Sequence, residues 1–154
     1  MNFRWLALPI AALAGAAGAS QGSELRIAPA SRVGSIHVTV TDLRSAKGDV
    51  HACLAPNRTS FPDCESGQGR TLTLPASQRL EFNFANVPQG RYAIALLHDE
   101  NANGKIDKAL MIPREGFGFS RDAPVRMGPP SFKDAAFEVD GKGVTQSIRM
   151  RYII

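Results

Sequence analysis

The sequence predicts an all-β domain, an antiparallel β-sandwich of about seven short strands with one long loop at residues 99–134. Three observations carry this expectation. Apolar residues alternate with polar ones in several short segments, the period of a half-buried strand. Fourteen glycines and ten prolines among 154 residues punctuate those segments with turns. No window shows a sustained helical period of apolar residues.

The strands follow in order. Ile36, Val38 and Val40 alternate with His37, Thr39 and Thr41. The turn SAKGD leads to Val50, Ala52 and Leu54, so the first two strands read as a hairpin. Leu72 and Leu74 mark a third strand, ended by Pro75, and Leu80, Phe82 and Phe84 a fourth. In the turn NVPQG, Pro88 fixes φ and Gly90 lets the chain reverse. Residues 91–99 (RYAIALLHD) carry Tyr92, Ile94 and Leu96 on one face and Ala93, Ala95 and Leu97 on the other. A strand apolar on both faces is expected at the centre of its sheet. Phe137 and Val139 suggest a sixth strand, and TQSIRMRYII a seventh with Ile148, Met150 and Tyr152 inward. This spacing fits a sandwich of immunoglobulin or prealbumin type, with a small barrel as the alternative. Residues 99–134 show no strand pattern, and a connection of that length is usually functional.

Three segments divide the chain: a signal peptide at 1–19, a flexible lead-in at 20–34 and a single β-sandwich at 35–154. Arg4 precedes the apolar run WLALPIAALAGAAGA, and Ala17 and Ala19 fit a small-x-small cleavage site before Ser20. The run falls short of the roughly 20 residues needed to span a bilayer, so an exported protein, periplasmic or secreted, with no membrane span after cleavage is expected. Removing Arg4 with the leader lowers the net charge from +4 to +3. The basic residues are scattered along the sequence without interleaved aromatics, which argues against nucleic acid as a partner.

The string DENANGKID follows the fifth strand. Asp99, Asn101 and Asn103 occupy positions 1, 3 and 5 of a tight loop, Gly104 position 6, Lys105 position 7 through its carbonyl, and Asp107 position 9. Oxygens at these spacings suit a hard cation such as Ca²⁺. Position 12 is Leu110 instead of the bidentate Glu of an EF-hand loop, and no helix flanks the segment. Glu115 is the nearest later carboxylate that could complete the site. With few carboxylates, affinity on the order of 10⁻⁴–10⁻³ M is expected. A run of Asx-turns without metal is the alternative.

Further on, PREGFGFS places Phe117 and Phe119 two residues apart between glycines. They could stack on a ligand, or plug the end of the sandwich beneath the loop. Cys53 and Cys64 are expected to pair in an oxidising compartment; a redox or metal pair is the alternative, and their spacing is not C-x-x-C. His98 shares the face of Tyr92, Ile94 and Leu96, where a hydrogen-bonded histidine at the core edge or a ligand contact are the two readings. Ser120, His98 and Asp99 can be drawn as a nucleophilic set, but no G-x-S-x-G elbow is present and neighbours on a strand point opposite ways. No catalytic residue is assigned.

The strings FANVPQGRYAIALLHDENANGKID, IPREGFGFS and GPPSFKDAAFEV resemble an uncharacterised bacterial exported family, domain of unknown function two-one-four-one, over about residues 35–154. The resemblance implies an exported prealbumin-like sandwich and no known activity. The stretch Val87 to Tyr92 also looks like the turn and strand of carboxypeptidase-regulatory-type modules, which serve structure, adhesion or ligand binding. The leading functional expectation is a non-enzymatic module in the cell envelope, its loop organised by Ca²⁺, binding a small ligand or an envelope protein. A periplasmic hydrolase or small-ligand enzyme built on His98, Asp99 and Glu115 is the alternative. A partner in an envelope assembly, docking through the C-terminal strand, is a third.

Overall fold

The computed structural model describes residues 32–104, 108–109 and 112–153. The leader, nearly all of the lead-in, Lys105, Asp107 and Leu110 lie outside the described residues. The chain is nearly all β, in two main sheets. Strands β1 (Val33–Thr41) and β4 (Leu80–Pro88) pair antiparallel, and β10 (Gly143–Arg149) lies on the other side of β1. The second sheet runs in the order β3 (Arg70–Pro75), β2 (Asp49–Ala55), β5 (Gly90–Asp99), β8 (Gly116–Phe119). A short strand β9 (Phe137–Val139) pairs the first residues of β5. Two-residue strands β6 (Lys108–Ala109) and β7 (Ile112–Pro113) form a small hairpin of their own.

The sandwich expectation holds, with three corrections. The first two strands are not a hairpin: β1 and β2 belong to opposite sheets, because each has one apolar face and both faces turn toward the shared core. The β1–β10 pair is parallel, so the fold is not antiparallel throughout. Residues 99–134 are not free of strands. They contain β6, β7 and β8, then a 3-10 turn at Ser120–Asp122, with the one-turn helix α1 (Phe132–Ala135) at the end. Glycines hid β8, since alternate positions of GFGF lack side chains and give no apolar period.

Those glycines have a packing reason. A Cβ on Gly118 would sit 2.8 Å from Ile148 Cγ2 and 2.9 Å from the Arg149 carbonyl oxygen, and one on Gly116 would run into the Tyr152 ring. The bare backbone lets β8 approach the chain beyond β10, where Phe117 N donates to Arg151 O at 2.9 Å and Arg151 N to Phe117 O at 2.8 Å. This bridge joins the two sheets at one corner. At the opposite corner Arg70 Nη1 donates to the Ala85 carbonyl at 2.7 Å and ties β3 to β4.

Between the sheets Ile36, Val38, Leu54, Phe84, Val87, Ile94 and Ile148 are all but fully buried. Each such side chain contributes about 1.5–3 kcal/mol relative to exposure. As expected, β5 is central, between β2 and β8. Its second apolar face has its own cover: Ala93 and Ala95 pack with Phe119, Ala123 and Ala135, and with Phe61 and Phe132. The Cys53–Cys64 disulfide, Cα–Cα 5.7 Å, anchors the segment that carries Phe61.

Candidate functional site

Alternation along β5 sends its last two side chains to opposite faces. His98 points into the core and is fully buried; its Nδ1 lies 2.7 Å from Tyr152 Oη and its Nε2 2.8 Å from the Lys47 carbonyl. Both ring nitrogens are therefore engaged inside the protein. Asp99 points outward yet is also fully buried, under the loop that begins with it.

That loop is built on Asp99. Its Oδ2 accepts from Gly104 N at 2.7 Å, and Ala102 N donates to the Asp99 carbonyl at 3.3 Å. Gly104 adopts φ +69°, the left-handed region that favours glycine. Asn101 Oδ1 accepts from Asn103 N at 3.1 Å, an Asx-turn inside the larger one. His51 Nε2, on the neighbouring strand β2, lies 3.5 Å from Asp99 Oδ2. Its Nδ1 is 3.0 Å from Thr73 Oγ1. The remaining carboxylate oxygen, Asp99 Oδ1, is buried without a hydrogen-bond partner among the described residues. Burial pushes the Asp99 carboxyl up, but the amides of Gly104 and Asn103 and the nearby His51 outweigh it and hold the group below its ordinary value.

Glu115 is buried as well, at 4% exposure. The β5–β8 register pairs His98 with Gly116, so one further step sets Glu115 across from Asp99 on the outer face. Asp49 pairs directly with Asp99 on the other side. Asn101 and Asn103 are exposed in the loop itself. Lys105 and Asp107, the remaining residues of the expected ligand set, lie outside the described residues. Among the described residues no group of three or more His, Cys, Asp and Glu is arranged to hold a metal ion.

The loop stands on a fixed base. Arg44, between β1 and β2, donates from Nε to Glu100 Oε2 at 3.0 Å and from Nη2 to the Arg114 carbonyl at 2.9 Å, and stacks 4.4 Å from the Tyr152 ring centroid. Ser45 Oγ donates to Glu100 Oε1 at 2.6 Å. The Arg44 hydrogen bond holds the Glu100 carboxyl down at about 2. Burial raises the Tyr152 hydroxyl above its usual range.

Phe119 is buried and Phe117 half-buried on the outer face of the sheet, with ring centroids 6.2 Å apart. Phe119 also meets Phe61 at 5.8 Å. Ser120, drawn from the sequence as a nucleophile, is fully buried, and its hydroxyl bonds backbone groups of Ile94 and Ala135. From the sequence His51 falls only on an outward or ambiguous strand position, with a zinc site shared with His37 and His98 unsupported by spacing. The available signal was its place on β2, one strand over from Leu97 and on the face of Asp99.

Cavities of about 800 and 500 Å³ lie where the 120–134 excursion meets Arg91 and the segment of Arg58, Phe61 and Pro62; neither is lined by His98, Asp99 or Glu115. No described helix is long and apolar enough to cross a membrane.

The fold and its strand-following loop define a class: a β-sandwich with a disulfide-anchored cover and an oxygen-rich turn closing one end. The chain belongs to the family described as an uncharacterized protein conserved in bacteria, DUF2141, whose model matches residues 38–147. The match runs from within β1 to within β10 and so takes in both sheets and the loop. No curated protein and no solved structure matches the chain.

Proposed function

We propose that this protein is an exported, non-enzymatic binding module whose loop after β5 is set by a hard divalent cation of the Ca²⁺ class. One observation carries the reading: Asp99 spends one oxygen on the Gly104 amide, which shapes the turn, and keeps the other buried, charged and without a hydrogen bond among the described residues. A buried anionic oxygen is costly unless something positive meets it. Asp99 would be the central ligand. Asn101 and Asn103 side-chain oxygens, the Lys105 carbonyl and Asp107 would complete the set, with Glu115 from across the strand. Asn101 Oδ1 retains acceptor capacity, since a carbonyl oxygen has two lone pairs. The cation would supply charge neutralisation and a rigid turn, and no bond-making. Oxygen donors without thiolate suit Ca²⁺ over softer metals.

The partner is proposed as a small ligand or an envelope protein. Calorimetric titration of the chelator-treated protein with CaCl₂ tests the reading: binding with a dissociation constant on the order of 10⁻⁴–10⁻³ M is expected. Asp99→Asn, which keeps the acceptor for Gly104 but removes the charge, should abolish it. No heat at millimolar Ca²⁺ would contradict the proposal.

A further inference from the structure

The basic residues that look scattered along the sequence do not stay scattered in the fold. The larger cavity is lined by Arg91, Arg121, Arg126 and Lys133 against one carboxylate, Asp134. The smaller adds Arg58. The two share Pro129, Pro130, Ser131 and Lys133, so they form one trough over the outer face of the second sheet. Three arginines elsewhere are neutralised: Arg44 pairs with Glu100, and Arg149 and Arg151 both pair with Asp122. Arg58, Arg126 and Lys133 form no ion pair among the described residues, and Arg91 has only an exposed contact with Glu138 at 3.7 Å. The one acid in the trough, Asp134, accepts from Ser131 Oγ at 2.7 Å and pairs with none of these cations among the described residues, so four cations face one carboxylate in the larger cavity.

Local backbone geometry sets this arrangement. Arg121 and Asp122 both adopt left-handed conformations, φ 59° and 49°. Asp122 is turned toward Arg149 and Arg151, while Arg121 is fixed beside the trough by its Nη1 bond to the Ala136 carbonyl at 3.2 Å. Non-glycine residues held at such angles gather at functional sites.

We propose that the trough binds a linear acidic polysaccharide of the polyuronate class. The cations are spread along two joined cavities, which suits a chain of spaced carboxylates better than one small anion. Between them lie Pro129, Pro130 and the half-buried Phe61 and Phe132, apolar surfaces on which the C–H faces of sugar rings can rest. Phe61 and Phe132 meet each other at 6.2 Å and 74°, so their faces are partly taken, which disfavours stacked nucleic-acid bases. The trough is separate from the cation loop: Arg91 and Asp99 sit at opposite ends of β5, about 26 Å apart at a rise of ~3.3 Å per residue.

The test is fluorescence anisotropy of labelled polygalacturonate oligomers of about ten sugars at low salt, run in chelator so that the cation loop plays no part. Binding is expected, weakening steeply as salt is raised. Arg126→Glu and Arg58→Glu, one in each cavity, should each weaken it about tenfold, roughly the loss of one charge contact to an anion. Arg79→Glu, an exposed residue away from the trough, makes the same change in net charge and should leave binding intact. Matching thermal melts confirm that the variants fold. Absence of binding, equal loss with Arg79→Glu, or an unchanged Arg58→Glu would each overturn the proposal. So would equal or tighter binding of poly-glutamate or of an oligo-dT strand. Binding of neutral dextran as strong as that of polygalacturonate would do the same.

Discussion

The hydroxyl of Ser120 stands in for a strand partner of Ile94. Strands β8 and β9 pair successive stretches of β5, from Ala95 to His98 and from Gly90 to Tyr92, and leave a gap between them. Ser120 Oγ fills it, accepting from Ile94 N at 2.9 Å and donating to the Ala135 carbonyl at 2.6 Å. One buried side chain thus closes the sheet edge and pins the whole 120–135 excursion.

Ser120→Ala leaves the Ile94 amide and the Ala135 carbonyl buried and unsatisfied. Each orphaned group costs about 1–3 kcal/mol. The urea midpoint of the variant should fall by the equivalent of about 2 kcal/mol or more, with the slope unchanged. A midpoint within error of wild type would show that the gap is closed in some other way.

Gly118→Ala should destabilise the protein by about 1–3 kcal/mol, the usual cost of forcing an extra carbon into a packed core. The added Cβ meets Ile148 and the Arg149 backbone. The loss should appear as a lowered thermal midpoint, because β8 is pushed away from the corner where the sheets join. An unchanged midpoint would mean that the corner is looser than its contacts suggest.

Much of this corner was illegible in the sequence. Period-2 alternation exposed the strands that present one apolar face, such as Leu80 to Phe84 and Ile36 to Val40. It also placed His98 on the core side. It could not show that the first two strands pair elsewhere, because alternation fixes a strand's face and not its neighbour. Strand β8 was missed since half its positions are glycine, and the trough was missed since its cations come from segments as distant as Arg58 and Lys133. The cation loop was legible as a string of oxygen-bearing residues. The contact of His51 with Asp99 needed the register.

Replacing Cys53 and Cys64 by alanine should cost about 3 kcal/mol, the loop-closure entropy of an eleven-residue separation. Comparison of urea unfolding for the double variant and wild type measures it. A difference below about 1 kcal/mol would show that Phe61 and its neighbours hold the cover unaided.

Acid should weaken the Arg44–Glu100 clasp over a defined window. The folded-state value of Glu100 is depressed to about 2 from an ordinary value of 4.5, so its contribution is present above pH 4.5 and is lost as pH falls toward 2. Glu100 is 27% exposed and Arg44 39%, so screening limits the contribution to about 1 kcal/mol. Urea unfolding in chelator should show Glu100→Gln less stable than wild type at pH 6, with more than half of that difference gone by pH 3. A difference that persists at pH 3 would assign the effect to packing and not to charge.

A pair of thermal melts decides whether the buried Asp99 oxygen, unpartnered among the described residues, meets a cation. At a dissociation constant near 0.1 mM, about 2 mM Ca²⁺ should stabilise the protein by about 1.8 kcal/mol, close to 6 °C for a domain of this size. The shift should be present with CaCl₂, absent with chelator, and absent in Asp99→Asn under both conditions. Superimposable wild-type melts with and without Ca²⁺ would contradict the account and leave the loop as a set of hydrogen-bonded turns.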